Sequence, residues 1–305
     1  MTAFPLPRSD PSRPRTPYRG RLAPSPTGLL HLGHARTFWI AFERARAVGG
    51  TLILRNEDLD PQRSKPEFVR AFIEDLRWLG VEWQEGPDIG GPGAPYDQSA
   101  RRERHRQALE RLIAAELVFA CTCSRKDIQS ASHAPHAADD EPIYPGTCRQ
   151  RRAIKDPALA ARLEPGAWGL PDGIRFSLRL RVPVAESVAF EDGNLGQQSF
   201  IAGRDFGDFI LWRHDDVPAY QLAVVADDIA MGITEVVRGA DLLVSTARQL
   251  LVCRALSAKP PAWFHCSLVT DASGKRLAKR ADATSLRTLR EHGLLPLEVR
   301  SMWGQ

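Results

Sequence analysis

No stretch of this 305-residue chain reaches the ~18 consecutive apolar residues of a membrane-spanning helix, which excludes that class. The N-terminal MTAFPLPRSDPSRPRTPYRG lacks a contiguous apolar core and is not a secretory signal. Its proline and arginine instead predict a disordered arm over residues 1–19. Cysteine is sparse, with five residues, two of them in Cys-x-Cys. Without an export signal, that usage favours metal ligands or free thiols over disulfides and places the chain in the cytoplasm. Neither sign of charge dominates: 41 basic and 37 acidic residues leave a net charge of +4, which fits a polyanionic partner without requiring one. The length suits one large domain, or a domain with an insertion.

What is present is organised around RLAPSPTGLLHLGH, residues 21–34. It reads as a short strand, a Pro/Gly turn and a helix on which Ala35, Phe38, Trp39 and Phe42 recur at helical spacing. Backbone N–H groups of the turn beside His31, Gly33 and His34 make a place to hold phosphate.

Residues 20–80 read as an αβ unit of the doubly wound kind. It comprises a strand near Arg21–Ala23, a helix over about 33–47, a buried strand in TLILRNED and an amphipathic helix in SKPEFVRAFIEDLRWLG that stops at Gly80. Nucleotide sites in such sheets lie at the C-terminal ends of strands, which puts Arg55, Glu57, Asp58 and Asp60 at a pocket rim. QSARRERHRQALERLIAAELVFA reads as one basic helix, with Arg101, Arg102, Arg104 and Arg106 on a solvated face open to an RNA backbone. Cys121, Cys123 and Cys148 can supply three thiolates to a tetrahedral zinc. His133 and His136 are then the default fourth ligands, and reduced thiols without metal are the other reading. IRFSLRL alternates as a strand, and VAFEDGNLGQQSF reads as a hairpin around Asp192-Gly193. From Asp208, FILWR reads as a strand, PAYQLAVVADDIAMGIT as a strand or helix carrying Tyr220, and EVVRG as a strand. A turn at Arg238-Gly239 and a helix over about 242–256 follow. GKRLAKR, residues 274–280, is a basic run near the end of the chain.

HLGH resembles the HIGH signature of class I aminoacyl-tRNA synthetases, and RLAPSPTGLLHLGHA resembles its glutamyl form. GKRLAKR resembles the KMSKS loop, with Arg276 and Lys279 at the two lysine positions and Ala278 in place of the serine. The resemblance implies ATP bound by His31, Gly33, His34, Arg276 and Lys279, with His31, His34 and Lys279 catalytic and Mg²⁺ accompanying ATP. It implies a glutamate site built from Arg21, Leu22, Ala23, Pro24, Ser25, Glu57, Tyr220 and Arg238, in which the planar fork of an arginine suits a carboxylate. RLAPS, rather than the PPE-type context of glutaminyl enzymes, favours glutamate. Val224 departs from the asparagine usual in discriminating full-length glutamyl enzymes, so weaker glutamate binding is expected. In the short paralogues the pattern Cys-x-Cys, then Tyr-x-x-x-Cys, matches YPGTC and makes Tyr144 the fourth ligand of one structural Zn²⁺ with Cys121, Cys123 and Cys148.

The expected fold is therefore α/β: a doubly wound, Rossmann-like parallel sheet interrupted by a zinc-containing α+β insertion. Its parts are 20–118, the first catalytic half; 119–205, the insertion facing the acceptor end of tRNA; and 206–305, the second half with the KMSKS-like loop. Only 25 residues follow Arg280, so no anticodon-binding domain is expected. That resembles the truncated family of glutamyl-queuosine tRNA(Asp) synthetases, which implies ATP, L-glutamate and tRNA(Asp) carrying queuosine as partners. No membrane and no obligate protein partner are implied. Two other classes stay open: an enzyme charging a tRNA 3′ end, and a catalytically silent RNA-binding paralogue.

Overall fold

A computed structural model of the chain describes residues 17–131, 143–151, 156–268 and 285–303. Strand β1 (Arg19–Leu22) pairs in parallel with β2 (Thr51–Leu54) across helix α1 (Leu32–Ala47), because parallel neighbours need a crossover. Leu52, Ile53 and Leu54 are buried in succession, as expected of a strand covered on both faces. Helix α2 (Pro66–Leu79) starts on a proline and ends at Gly80, whose φ of 90° is the left-handed cap a glycine adopts without strain.

The long basic run is not one helix. A 3₁₀ turn over Gln98–Arg101 leads into α3 (Arg102–Ala114), and Val118–Cys121 is strand β3. The chain turns between them at Glu116, with φ 58°. All four residues of β3 are buried, a pattern that a sheet interior explains and one face of a helix does not. Arg101, Arg102 and Arg106 are also corrected: they are fold contacts, not a solvated or RNA-facing stripe. Arg102 and Arg106 pair with Asp216, and Arg106 also donates to the Ala161 carbonyl at 2.7 Å. Arg101 is buried against Asp227 at 2.5 Å. Arg104 alone of the four stands exposed.

After α4 (Arg125–Ala131) and α5 (Pro157–Ala161) come β4 (Ser177–Leu180), β5 (Ser187–Asp192), β6 (Gly196–Ile201) and β7 (Ile210–Trp212). The ambiguous stretch at Tyr220 is a helix, α6 (Tyr220–Ala230), whose Gln221 to Asp228 are all buried. Strand β8 (Glu235–Gly239), α7 (Leu243–Ala255), β9 (Ala262–Cys266), α8 (Leu286–Glu291) and α9 (Pro296–Ser301) complete the described elements. Among the described residues no helix is long and apolar enough to cross a membrane.

The strands fall into three sets: β1–β2, β3–β4–β7, and β6–β5–β9–β8. Pairing is parallel within β8–β9, and β5 joins β9 in parallel at Asp192↔Trp263. Sheet membership crosses the expected 205/206 boundary. The 187–201 hairpin, assigned to the insertion, extends the β8–β9 sheet, whereas β7, assigned to the second catalytic half, pairs with β4. Length did not reveal this, because partners distant in sequence decide which sheet a short strand joins. The arm boundary moves as well: Tyr18 donates to Glu235 at 2.9 Å, and Arg19 opens β1. Residues 1–16 lie outside the described residues. β1 lies beside β8: Thr234 N–H donates to Arg19 O at 2.9 Å and Arg21 Nη1 to Val237 O at 3.0 Å. The C-terminal ends of β1, β2, β8 and β9 therefore face one region.

Candidate active site

The HLGH turn enters α1 with His31 as its N-cap, in extended backbone at φ −102° and ψ 171°. Its Nδ1 accepts the Gly33 N–H at 3.2 Å, so one first-turn donor expected to be unpaired is taken. The His31 and His34 rings stack at 3.7 Å. A Cβ on Gly33 would stand 3.2 Å from the His31 ring, so this glycine lets the imidazole lie against the helix start.

Arg276, Ala278 and Lys279 lie outside the described residues. The chain on either side of residues 269–284 is nonetheless held at this same turn. Arg36 donates to Ser267 O at 2.8 Å, Leu286 N–H donates to Leu30 O at 2.7 Å, and His31 and Ser285 form an isolated β-bridge.

A second group lies at the strand ends. Arg55 N–H donates to Leu22 O at 2.8 Å and Glu57 N–H to Pro24 O at 3.0 Å, so the segment after β2 runs beside Arg21–Ser25. Along it Leu22 and Pro24 are buried, Ala23 is half-buried and Ser25 is exposed. Arg55 is fully buried between two carboxylates, with Nη1 2.6 Å from Asp228 and Nη2 3.1 Å from Glu57. Arg21 Nε lies 3.8 Å from the same Asp228 oxygen. Burial pushes the Glu57 carboxyl up, against the opposing pull of Arg55 and Arg21.

Arg238 ends this row from β8. It is 4% exposed, and among the described residues its hydrogen-bond partners are all neutral. Nη1 donates to Gln249 at 2.9 Å and to the Tyr220 hydroxyl at 3.4 Å, Nη2 to Thr246 at 2.6 Å, and Nε to His265 Nε2 at 3.2 Å. Its guanidinium lies 4.7 Å from the centre of the Trp263 ring. Burial holds its pKa below the ordinary arginine value. A buried cation without a paired anion is costly, and a ligand carboxylate is the natural remedy. Val224 sits one turn along α6 from Tyr220 and is 1% exposed.

The structure therefore brings Arg21, Glu57, Tyr220 and Arg238 to one region. Asp228, Thr246, Gln249, His265 and Asp192 complete their contacts and were not singled out from sequence. Asp228 and His265 sit within apolar runs, and only packing reveals what they touch.

The cysteines form a separate centre at the end of β3. The Sγ atoms of Cys121, Cys123 and Cys148 all lie within 4.8 Å of one another, with Cys123 to Cys148 at 3.7 Å. The Tyr144 hydroxyl is 3.4 Å from Cys121 and 3.9 Å from Cys123, and it accepts the Cys148 N–H at 2.7 Å. Zinc–sulfur bonds of ~2.3 Å at tetrahedral angles set sulfurs ~3.8 Å apart, so three thiols and a phenol at these spacings fit such an ion. Burial pushes the Cys123 thiol up to about 11. Burial also acts to raise Cys148, but hydrogen bonds from Thr122 N–H and the Tyr144 hydroxyl outweigh it and hold that thiol at about 7. His133 and His136 lie outside the described residues.

Residues 18–303 match the catalytic domain of the class I tRNA synthetases (E and Q), and the chain belongs to that family. It is a ligase of the tRNA synthetase kind. Within the family it is 48% identical, over 90% of its own length and 82% of the relative's, to a Nitratidesulfovibrio vulgaris protein named Glutamyl-Q tRNA(Asp) synthetase. It is 42% identical to Glutamate--tRNA ligase 2 of Nitrosococcus oceani, over 92% of this chain and 57% of that one. The crystal structure of a glutamate tRNA ligase from Elizabethkingia meningosepticum in complex with its amino acid superposes with a TM-score of 0.73 at 29% identity. That match covers 92% of this chain and 54% of the other. The chain thus spans about half the length of this ligase.

Proposed function

We propose that the protein activates L-glutamate with ATP and transfers it to queuosine at the anticodon wobble position of tRNA(Asp). The observation that carries the amino-acid part is Arg238, a buried guanidinium with only neutral partners among the described residues, on a strand end beside Arg21 and within the same region as Glu57. Two arginines suit the carboxylates of a dicarboxylic amino acid, and Glu57 suits its ammonium. The queuosine acceptor rests on the Glutamyl-Q relative, which the chain matches over most of its length. In this reading the parallel pairs β1–β2 and β8–β9 belong to one doubly wound sheet, interrupted by the β3–β4–β7 layer bearing the cysteines.

Activation joins the glutamate α-carboxylate to the α-phosphorus of ATP and releases pyrophosphate. It calls for positioning and charge stabilisation more than proton transfer. His31, Gly33 and His34 hold phosphate at the start of α1, and Arg276 and Lys279 bring positive charge to the departing pyrophosphate, which Mg²⁺ shares when ATP is bound. Arg21 through Ser25, Glu57, Tyr220 and Arg238 hold glutamate, weakly because Val224 offers no polar group. The queuosine hydroxyl then attacks the activated carbonyl and AMP leaves.

Incubating the protein with ATP, radiolabelled glutamate and tRNA with or without queuosine, then mapping the labelled nucleotide, tests the reading. Label at the anticodon only when queuosine is present supports it. Label on the 3′ adenosine selects the alternative favoured by the similarity to glutamate--tRNA ligases, and no glutamate-dependent activation selects a silent paralogue. Lys279→Ala is expected to slow ATP–pyrophosphate exchange by about a hundredfold to a thousandfold, as loss of a transition-state charge contact does. Unchanged exchange would remove Lys279 from the mechanism.

The thiol cluster is proposed to hold one structural Zn²⁺ through Cys121, Cys123, Cys148 and Tyr144. Elemental analysis of the purified protein should find about one zinc per chain, and Cys121→Ser with Cys123→Ser should abolish it. A metal-free wild type ends the proposal.

A further inference from the structure

His265, on β9, is fully buried, and both faces of its ring chemistry are occupied. Its Nδ1 lies 2.6 Å from Asp192 Oδ2. Asp192 also accepts the His265 N–H at 3.1 Å, the Asn194 N–H at 3.0 Å and the Leu195 N–H at 2.9 Å. So many donors around one carboxyl favour its ionised form. An ionised Asp192 requires the proton on Nδ1, which leaves the Nε2 lone pair facing the other way. That lone pair meets Arg238 Nε at 3.2 Å and Thr246 Oγ1 at 2.9 Å.

We infer that Asp192 and His265 are positioning residues for Arg238, setting the rotation of its guanidinium toward the amino acid's carboxylate. This rests on the amino-acid site proposed above. The arrangement explains a feature of the charge. A carboxylate bonded directly to Arg238 would compete with the substrate for the same fork. A neutral imidazole between them lets Asp192 steady the arginine at one remove without cancelling the positive charge that a ligand anion would meet. The location fits as well: Asp192 closes β5 at the one register position where that strand joins β9, so the hairpin turn delivers the carboxylate behind the arginine.

Asp192→Asn is the informative variant. The amide oxygen keeps the turn's backbone bonds, while its NH₂ faces Nδ1 and selects the other tautomer, setting an Nε2–H against the Arg238 Nε–H. In glutamate-dependent ATP–pyrophosphate exchange the KM for glutamate should rise about ten- to a hundredfold, the cost of a misplaced binding group, with the KM for ATP within about twofold. His265→Gln, which keeps an acceptor toward Arg238, should recover most of the glutamate affinity that His265→Phe loses. Equal change in both KM values, or none, would overturn the positioning role. ¹⁵N NMR of the histidine ring provides a readout independent of activity: an unprotonated Nε2 on His265 supports the inference and a protonated one overturns it. A wild type without glutamate-dependent exchange would overturn the amino-acid reading instead, with the NMR still deciding the tautomer.

Discussion

Arg238→Gln is expected to lower kcat/KM for glutamate in ATP–pyrophosphate exchange by about a hundredfold or more while leaving the KM for ATP nearly unchanged. Truncating one member of a desolvated charge pair costs about 2–5 kcal/mol, and each ~1.4 kcal/mol is a factor of ten. Stability should not fall in step. In the free protein Arg238 is a buried cation whose partners are a hydroxyl, a phenol, an amide and an imidazole, so its removal takes away a desolvation cost along with its bonds. Loss of activity with an unchanged or raised unfolding midpoint is the signature of a site held ready for an anion. Arg238→Lys should recover only part of the affinity, because an ammonium keeps the charge but not the planar fork. If Arg238→Gln uses glutamate as well as the wild type does, the carboxylate role assigned to Arg238 is lost.

The largest stability effect is expected at Asp227, a residue outside the proposed chemistry. It is fully buried on α6, with Oδ1 2.5 Å from Arg101 Nε and 3.1 Å from His105 Nε2, and Oδ2 2.8 Å from Gln98 Nε2. These contacts tie the 3₁₀ turn and α3 to α6. Asp227→Ala strands Arg101 without its anion and should cost about 3–5 kcal/mol in urea unfolding at neutral pH. A loss under ~1 kcal/mol would show that this network contributes little. The same group predicts an acid response. Burial alone would raise the Asp227 carboxyl, but the bond to His105 and the charges of Arg55 and Arg101 outweigh it and hold it at about 2. The folded value lies below the unfolded one, so the stabilisation is complete above pH ~4 and is lost as pH falls toward 2, about 2 kcal/mol in all. Asp227→Asn should flatten that part of the pH profile.

Asp227 and Asp228 illustrate what reading along the chain leaves out. Both fall in PAYQLAVVADDIAMGIT, where apolar residues on every side permit strand or helix. As neighbours on α6 they serve different networks, Asp227 toward Arg101 and Asp228 toward Arg55. The arginine row at the start of α3 reads as a solvated face for a similar reason: its partners at 161, 216 and 227 lie far away in sequence. His265 lies in AWFHC, a strand with nothing local to mark an imidazole as the neighbour of Arg238.

The sequence by itself determined the elements whose signals are local. HLGH with its Pro/Gly turn, the parallel strand TLIL and the α2 stop at Gly80 are short-range patterns that meet the structure at or near their expected places. Backbone geometry within a few residues is enough to specify them, whereas the pairing of Cys-x-Cys with YPGTC, which the structure brings together, was implied only by the family resemblance. Only the tertiary structure decided which sheet the 187–201 hairpin and β7 join, that three of four arginines are fold contacts, and that Arg238 is a buried cation with neutral partners. Those facts depend on which distant groups share a desolvated space. Pairing between separate elements of the fold sets the energy of a buried charge, and no local pattern carries that information.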